Sequence, residues 1–211
     1  VSVYDMRKRE IRQLETNLHY QSKAIALFDA LGKQTYPIVC AKPEEGIDKA
    51  REFLANESTD YDVVFFDLPG TINNDGVLST FMAMDYVFVP MAPSRMSMES
   101  TLSFVIPVSE ILTEHKEFNL KAIRLFWNRV DGRIRKEWIE HYRGVILDFG
   151  LSLMQTVIPQ SVRYDKEQSI EGSDAVFLST IFPADRTLLK GSNLDLLVDE
   201  ILEITHLNLQ S

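Results

Sequence analysis

Short apolar runs that alternate with longer helical patterns constrain the fold of this chain more than any other feature. Runs rich in β-branched and aromatic residues are typical of strands buried on both faces of a sheet. Four of them lie at Ile38–Ala41, Val63–Leu68, Tyr86–Met91 and Ile123–Val130, and a fifth candidate lies at Met154–Ile158. Because helical segments connect them, the sequence predicts an α/β fold with a mostly parallel sheet flanked by helices.

The connecting segments carry apolar residues at helical spacing. In the clearest, 132–150, we expect Gly150 to close the helix and a stripe to pack on the sheet, formed by Ile134, Trp138, Tyr142, Val145 and Phe149. Residues 95–115 form another, in which Pro107 predicts a kink or a break. We expect the last helix to begin with a Ser192 cap and to bury Leu194, Leu197, Val198, Ile201 and Leu202.

The segment 4–31 has two readings. Its apolar residues recur at spacings of three, four and seven, which fits either packing on the sheet or a short heptad seam with another chain. These residues are Ile11, Leu14, Leu18, Ile25 and Phe28.

Length, charge and cysteine content set broad limits. At 211 residues, with no linker or repeat, we expect a single domain over 1–211. The formal net charge of −9 disfavours broad nucleic-acid binding but leaves local patches open. The sequence has neither an apolar run of about 20 residues nor a signal pattern, so we expect no membrane span and a cytoplasmic location. Cys40 lies in an apolar run, which favours a buried, inert thiol.

The most informative segment, residues 61–71, reads Tyr-Asp-Val-Val-Phe-Phe-Asp-Leu-Pro-Gly-Thr. A strand that ends in Asp67 before a Pro-Gly turn would place this carboxylate at the edge where open α/β sheets bind ligands. An aspartate there can hold Mg²⁺, directly or through water, and the loop after it can sense a phosphate. A plain turn is the alternative, since Asp, Pro and Gly are good turn formers.

Asn128 comes near the end of the fourth apolar run. Its amide offers both a donor and an acceptor, so it can form paired hydrogen bonds with an adenine edge, and capping the next helix is its competing role. Four basic residues follow, which form either a solvated face or a patch for DNA or phosphate: Arg129, Arg133, Arg135 and Lys136.

The order of these segments resembles that of the ParA/MinD family of deviant P-loop ATPases, from about residue 35 to the C-terminus. The residue sequences of segments 62–71, 84–86 and 99–104 most resemble those of the TraA-like proteins of Bacteroides conjugative transposons. The resemblance implies that Asp67 is the catalytic, metal-binding Walker B aspartate and that Gly70 and Thr71 lie in the switch loop. It also implies that Asn128, with Arg129 beside it, recognises adenine, and that Pro159 lies in the loop next to the base.

The resemblance further implies a function and cofactors. Members of the family bind ATP and Mg²⁺, dimerise, present a surface to DNA or to a partner protein, and dissociate after hydrolysis. The expected setting is partition, maintenance or transfer of a conjugative element.

One family motif has no counterpart in these 211 residues. A phosphate loop needs Gly-x-x-x-x-Gly-Lys-Ser/Thr, and the nearest match, Gly32-Lys33, is followed by Gln34 and preceded at the required spacing by Leu27. By the resemblance, the chain is a single ParA-like domain that begins after the family's Walker A segment and switch I. We therefore expect no tight binding of ATP or Mg²⁺ by this chain, and we expect that the chain as given does not hydrolyse ATP normally.

In the family, the strand that leads to the phosphate loop is a central strand of the sheet. By the resemblance this strand is absent here, and its absence would uncover backbone groups on two neighbouring strands. We therefore expect a homodimer or a domain-swapped oligomer. Two other functions stay open: a non-catalytic α/β interaction module that self-associates, and an unrelated α/β enzyme with a site near Asp67 and Thr71.

Overall fold

A computed structural model describes residues 2–68, 80–114, 118–165 and 177–207. Its sheet has three strands in the order β1-β2-β3, and both pairs are parallel: β1 Tyr86–Met91, β2 Ala122–Val130 and β3 Leu153–Pro159. The helices Arg95–Glu114 and Lys136–Asp148 provide the connections that parallel neighbours require. The predicted α/β class, with a parallel sheet flanked by helices, is confirmed.

Five further helices and two 3₁₀ turns have both ends within the described residues, and residues 80–82 are also helical. The helices are Val3–Thr16, Leu18–Leu31, Gly46–Asn56, Arg186–Leu189 and Leu194–Thr205, and the turns are Pro43–Glu45 and Val162–Asp165. The chain divides into two compact units, Val1–Cys40 with Ser161–Ser192 and Ala41–Gln160 with Asn193–Ser211. Each unit has its own core, and the single-domain reading stays a prediction.

The larger unit is built around the sheet. Leu125 and Trp127 of β2 have no exposed surface, and residues of both connecting helices join them in one core: Met98, Val105 and Ile146. The Trp138 ring lies 5.9 Å from that of Trp127, as the predicted stripe requires. Phe149 is the exception at 55% exposed, because the helix ends at Asp148 and the chain turns away at Gly150, whose φ is +70°.

The smaller unit is built around its two N-terminal helices. Asn17 separates them, and its side-chain oxygen accepts the N–H groups of His19 and Tyr20 to begin the second helix. Leu14 and Phe28 pack against a core that includes Phe182. The other three residues of the predicted seam are exposed: Ile11, Leu18 and Ile25.

Two predicted strands are wrong. Neither Ile38–Ala41 nor Val63–Leu68 is a strand, because in the part of the chain that is described no neighbour pairs with their peptide groups. Phe65 is consequently 83% exposed. The predicted burial of Cys40 is wrong for the same reason: Cys40 lies in the unpaired segment Ile38–Ala41 and is exposed.

Helix ends differ from prediction in three places. The helix predicted from Gly132 begins at Lys136. The predicted break at Pro107 does not occur, since the Arg95–Glu114 helix continues through it with Pro107 on the exposed face, while the alternative of a kink stays a prediction. The last helix follows Asn193 instead of Ser192, because the buried Ser192 hydroxyl donates to the Leu189 carbonyl. Val198 of that helix is exposed instead of buried.

Candidate functional site

The carboxyl ends of β2 and β3 lie side by side and form the candidate site. Val130 pairs with Pro159, and the N–H of Gln160 donates to the Val130 carbonyl at 2.9 Å. Asn128 and Arg129 immediately precede Val130 in β2, so three of the predicted site residues share one edge of the sheet. Asn128 and Pro159 are half-buried and Arg129 is exposed. This edge is where open parallel sheets bind ligands.

Arg129 has an unusual backbone. Its φ is +58°, in the left-handed region that residues with a side chain rarely adopt. The left-handed residue coincides with a bulge, since β2 takes three residues from Trp127 to Val130 where β3 takes two from Val157 to Pro159. Bulges and left-handed residues cluster next to functional sites because they re-aim side chains.

An ion pair follows directly in the loop after β2. Arg133 donates from Nη2 to Asp131 Oδ2 at 2.6 Å and from its backbone N–H to Asp131 Oδ1 at 2.9 Å. These hydrogen bonds from the Arg133 side chain and backbone lower the pKa of Asp131 to about 2. The charge of Arg133 is thus paired within the loop, and Arg129, Arg135 and Lys136 are the exposed cations beside the site.

The competing role of Asn128 as a helix cap is not observed. The next helix begins at Lys136, Arg135 holds the cap position, and no side chain caps it. The Asn128 amide is therefore not committed to that helix.

The strand that leads to Pro159 is held from outside the sheet by the last helix. The Glu200 carboxylate accepts the N–H groups of Gln155 and Thr156, at 2.7 and 2.8 Å, and the Asn193 side-chain amide donates to the Val157 carbonyl at 2.8 Å. Burial raises the pKa of Glu200, but the hydrogen bonds from Thr156 and Gln155 outweigh it and lower that pKa overall. Sequence reasoning missed both residues, because neither an acidic residue in an amphipathic helix nor an asparagine just before that helix carries a local sign of its partner.

The other half of the predicted site is less complete. Asp67 is exposed and belongs to no strand, while Gly70 and Thr71 lie outside the described residues. Within residues 2–68, 80–114, 118–165 and 177–207, no three His, Cys, Asp or Glu residues are grouped so that they could hold a metal ion. Because Mg²⁺ in nucleotide sites is usually held by one or two carboxylates together with the phosphates, Asp67 stays the proposed metal carboxylate.

Comparison with known proteins adds no family. No protein-family model matches the chain, and no curated protein matches it. Nor does any helix among the described residues have the length and apolar character to cross a membrane. The function is therefore argued from the site and from the motifs in the sequence.

Proposed function

We propose that this chain belongs to a ParA-like ATPase that acts in the cytoplasm, in the partition, maintenance or transfer of a conjugative element, through nucleotide-dependent dimerisation. The observation that carries the proposal is the pairing of Val130 with Pro159, which brings Asn128 and Pro159 to one edge of a parallel sheet. These are the two residues to which the resemblance assigns the adenine base.

The chemistry of that edge suits a nucleotide base. The Asn128 amide can donate to and accept from the adenine edge at once, as an adenine requires. Pro159 offers an apolar ring beside it, and Arg129 adds a positive charge for the anionic part of the ligand, or for DNA or a partner protein. Among these residues we assign binding roles only.

Hydrolysis needs more than this edge supplies. The 211 residues contain no Gly-x-x-x-x-Gly-Lys-Ser/Thr segment, so the backbone cradle, the lysine and the hydroxyl that hold phosphate and Mg²⁺ are not among them. When bound, Mg²⁺-ATP would supply the terminal phosphoryl group, which is transferred to water as its bond to ADP breaks. This chain would hold the base weakly, and Asp67 remains the carboxylate proposed for the metal.

A fluorescence titration tests the proposal. Trp127 directly precedes Asn128, and the ring of Trp138 packs against that of Trp127. Tryptophan emission can therefore report binding at this edge. We expect ADP to change the emission at lower concentration than GDP does, and we expect Asn128→Ala to abolish that preference. Asn56→Ala, at an exposed asparagine of the same unit, is the matched control and should behave as the wild type. Equal responses to ADP and GDP would contradict the proposal.

A second function has its own support. The exposed Val64 and Phe65 favour a non-catalytic module that self-associates. The same titration discriminates the two, because such a module shows no preference for adenine nucleotides, while its mass rises with concentration.

A further inference from the structure

Asn193, the residue before the last helix, has an unusual backbone and an unusual side-chain partner. Its φ is +59°, in the left-handed region that residues with a side chain rarely adopt. An asparagine at this position usually caps the helix with its side-chain oxygen, but the Asn193 side chain makes no capping hydrogen bond. Its amide donates instead to the Val157 carbonyl of β3, at 2.8 Å. Asn193 therefore keeps a strained backbone and forgoes a cap while it holds β3.

The residue type at position 193 suits this bond. A backbone carbonyl only accepts hydrogen bonds, so a side chain that holds Val157 must donate, and the NH₂ group of Asn193 does so. Aspartate also tolerates a left-handed backbone, but its carboxylate has no donor and would repel the carbonyl. Asparagine thus combines tolerance of the positive φ with the donor that the strand needs.

The bond lies at the level of the sheet where the candidate site begins. Val157 pairs with Trp127, which directly precedes Asn128. Pro159 lies two residues beyond Val157, at the end of β3. Asn193 therefore fixes β3 immediately before the residue to which the base contact is assigned.

A second strained residue acts on the same end of β3. Arg129 has a φ of +58° within the bulge of β2, between the pairs that Trp127 and Val130 make with β3. Among the described residues the non-glycine residues with positive φ are Arg129, Asn193 and His206, so two of the three hold this end of β3. Strained residues persist where their surroundings over-determine them, and they cluster at ligand sites. Their location favours a role in the site over a role in helix formation alone.

We propose that Asn193 is a positioning residue for base recognition, which sets the distance between Pro159 and Asn128 and couples the last helix to occupancy of the site. The inference rests on the proposed nucleotide function and adds a means of control over the same site. A base held between Asn128 and Pro159 fixes the end of β3. Because coupling between two sites is reciprocal, such a base also stabilises the start of the last helix.

Two substitutions separate positioning from stability. Asn193→Asp retains the size and the left-handed backbone but loses the donor, whereas Asn193→Gly loses the donor and relieves the backbone. Fluorescence titration should show ADP binding weakened about fivefold or more in both variants, with a smaller preference over GDP. In urea unfolding the glycine variant should be the more stable of the two. Wild-type ADP binding by the glycine variant would overturn the proposal, because a merely structural role predicts it.

His206→Gly is the matched control. His206 ends the same helix with a φ of +56°, so glycine relieves the same backbone conformation at the end remote from Asn193. We expect this variant to bind ADP as the wild type does. Equal losses of ADP affinity in Asn193→Gly and His206→Gly would point to a general effect of the helix and would contradict the specific role of Asn193.

Amide hydrogen exchange without nucleotide distinguishes this inference from the proposed function. The Gln160 N–H donates to the Val130 carbonyl, so its exchange reports how firmly the end of β3 is held. Exchange at Gln160 should quicken in both Asn193 variants and stay unchanged in His206→Gly. Unchanged exchange in the Asn193 variants would overturn the positioning role even where the wild type prefers ADP. A wild type that binds ADP and GDP alike would overturn the proposed function and, with it, the role in base recognition.

The reciprocal effect is measured in the wild type. The Leu197 N–H donates to the Asn193 carbonyl in the first turn of the last helix. Its exchange should slow when ADP is added, because the occupied site holds Val157 and Val157 holds Asn193. An ADP-bound protein with an unchanged Leu197 rate would overturn the coupling.

Discussion

The Glu200 carboxylate accepts the backbone N–H of Thr156 at 2.8 Å, and it also accepts that of the preceding residue, Gln155. Two consecutive N–H groups can reach one carboxylate because β3 bulges there: between the pairs Leu125–Leu153 and Trp127–Val157, β2 advances two residues and β3 four. One side chain of the last helix thus satisfies the bulge and fixes the strand that ends at Pro159.

Glu200→Gln should lower the free energy of unfolding and change its pH dependence. The folded-state pKa of Glu200 lies below its ordinary value of 4.5, so its ionised form stabilises the fold above that pH. This contribution is lost as the pH falls through the folded-state pKa. At pH 7 we expect a loss of about 1 kcal/mol for a weakened charged hydrogen bond, measured by urea unfolding. Glu203→Gln, exposed on the same helix, should have no effect, and equal losses for both variants would contradict the role of Glu200.

The Asp131 carboxyl should titrate well below an ordinary aspartate. Its hydrogen bonds from the Arg133 side chain and backbone lower its pKa to about 2 from 3.8. An NMR titration of the side-chain carboxyl should place the midpoint near 2, and Arg133→Ala should move it towards 3.8. Arg135→Ala, two residues further on, should leave the midpoint in place. An unshifted midpoint in the wild type would show that the ion pair does not form in solution.

Arg129→Gly should stabilise the fold while weakening nucleotide binding. Glycine adopts a φ of +58° without the cost that a side chain incurs, so we expect a gain of up to about 1 kcal/mol in thermal or urea unfolding. Arg129→Ala keeps the strained backbone and removes the guanidinium, so it should weaken binding without the gain. If glycine and alanine give equal stability, the left-handed conformation is not strained.

Thr180→Val should destabilise the smaller unit. The Thr180 hydroxyl accepts from Arg7 Nε at 2.7 Å and donates to Glu10 Oε2. Glu10 is buried, and within the described part of the chain its other oxygen has no hydrogen-bond partner. Valine would remove both bonds and leave a buried carboxylate less satisfied, at a cost of about 1–3 kcal/mol. Thr180→Ser retains the hydroxyl and should cost much less. The measurement is amide exchange at residues 177–182, which should quicken in the valine variant only.

Strands with a neighbour were predictable from sequence, and partnerless ones were not. β1 has its predicted bounds, β2 is longer than predicted by one residue at its start, and β3 by one residue at each end, because apolar runs buried on both faces have a strong local pattern. Val63–Leu68 has the same pattern and is no strand, since pairing depends on a neighbour that local sequence does not reveal. The predicted cap of the last helix was wrong for a related reason. Ser192 and Asn193 are both good capping residues, and only tertiary contacts decide between them.

The candidate site was partly predictable. Asn128 and Pro159 came from the resemblance, and the parallel pairing of β2 with β3 puts them at one edge. The bulge at Arg129 and the support from Glu200 depend on φ angles and on contacts between residues distant in the sequence, which apolar periodicity does not encode.

The location of nucleotide binding tests the central claim most directly. Amide chemical shifts of the 211-residue chain should be followed while ADP is added, with GDP as the comparison. We predict that ADP shifts a contiguous set centred on Asn128, Arg129, Ile158 and Gln160, and that GDP does so only at higher concentration. Shifts confined to other parts of the chain, or identical shifts with both nucleotides, would contradict the assignment of this edge to an adenine base.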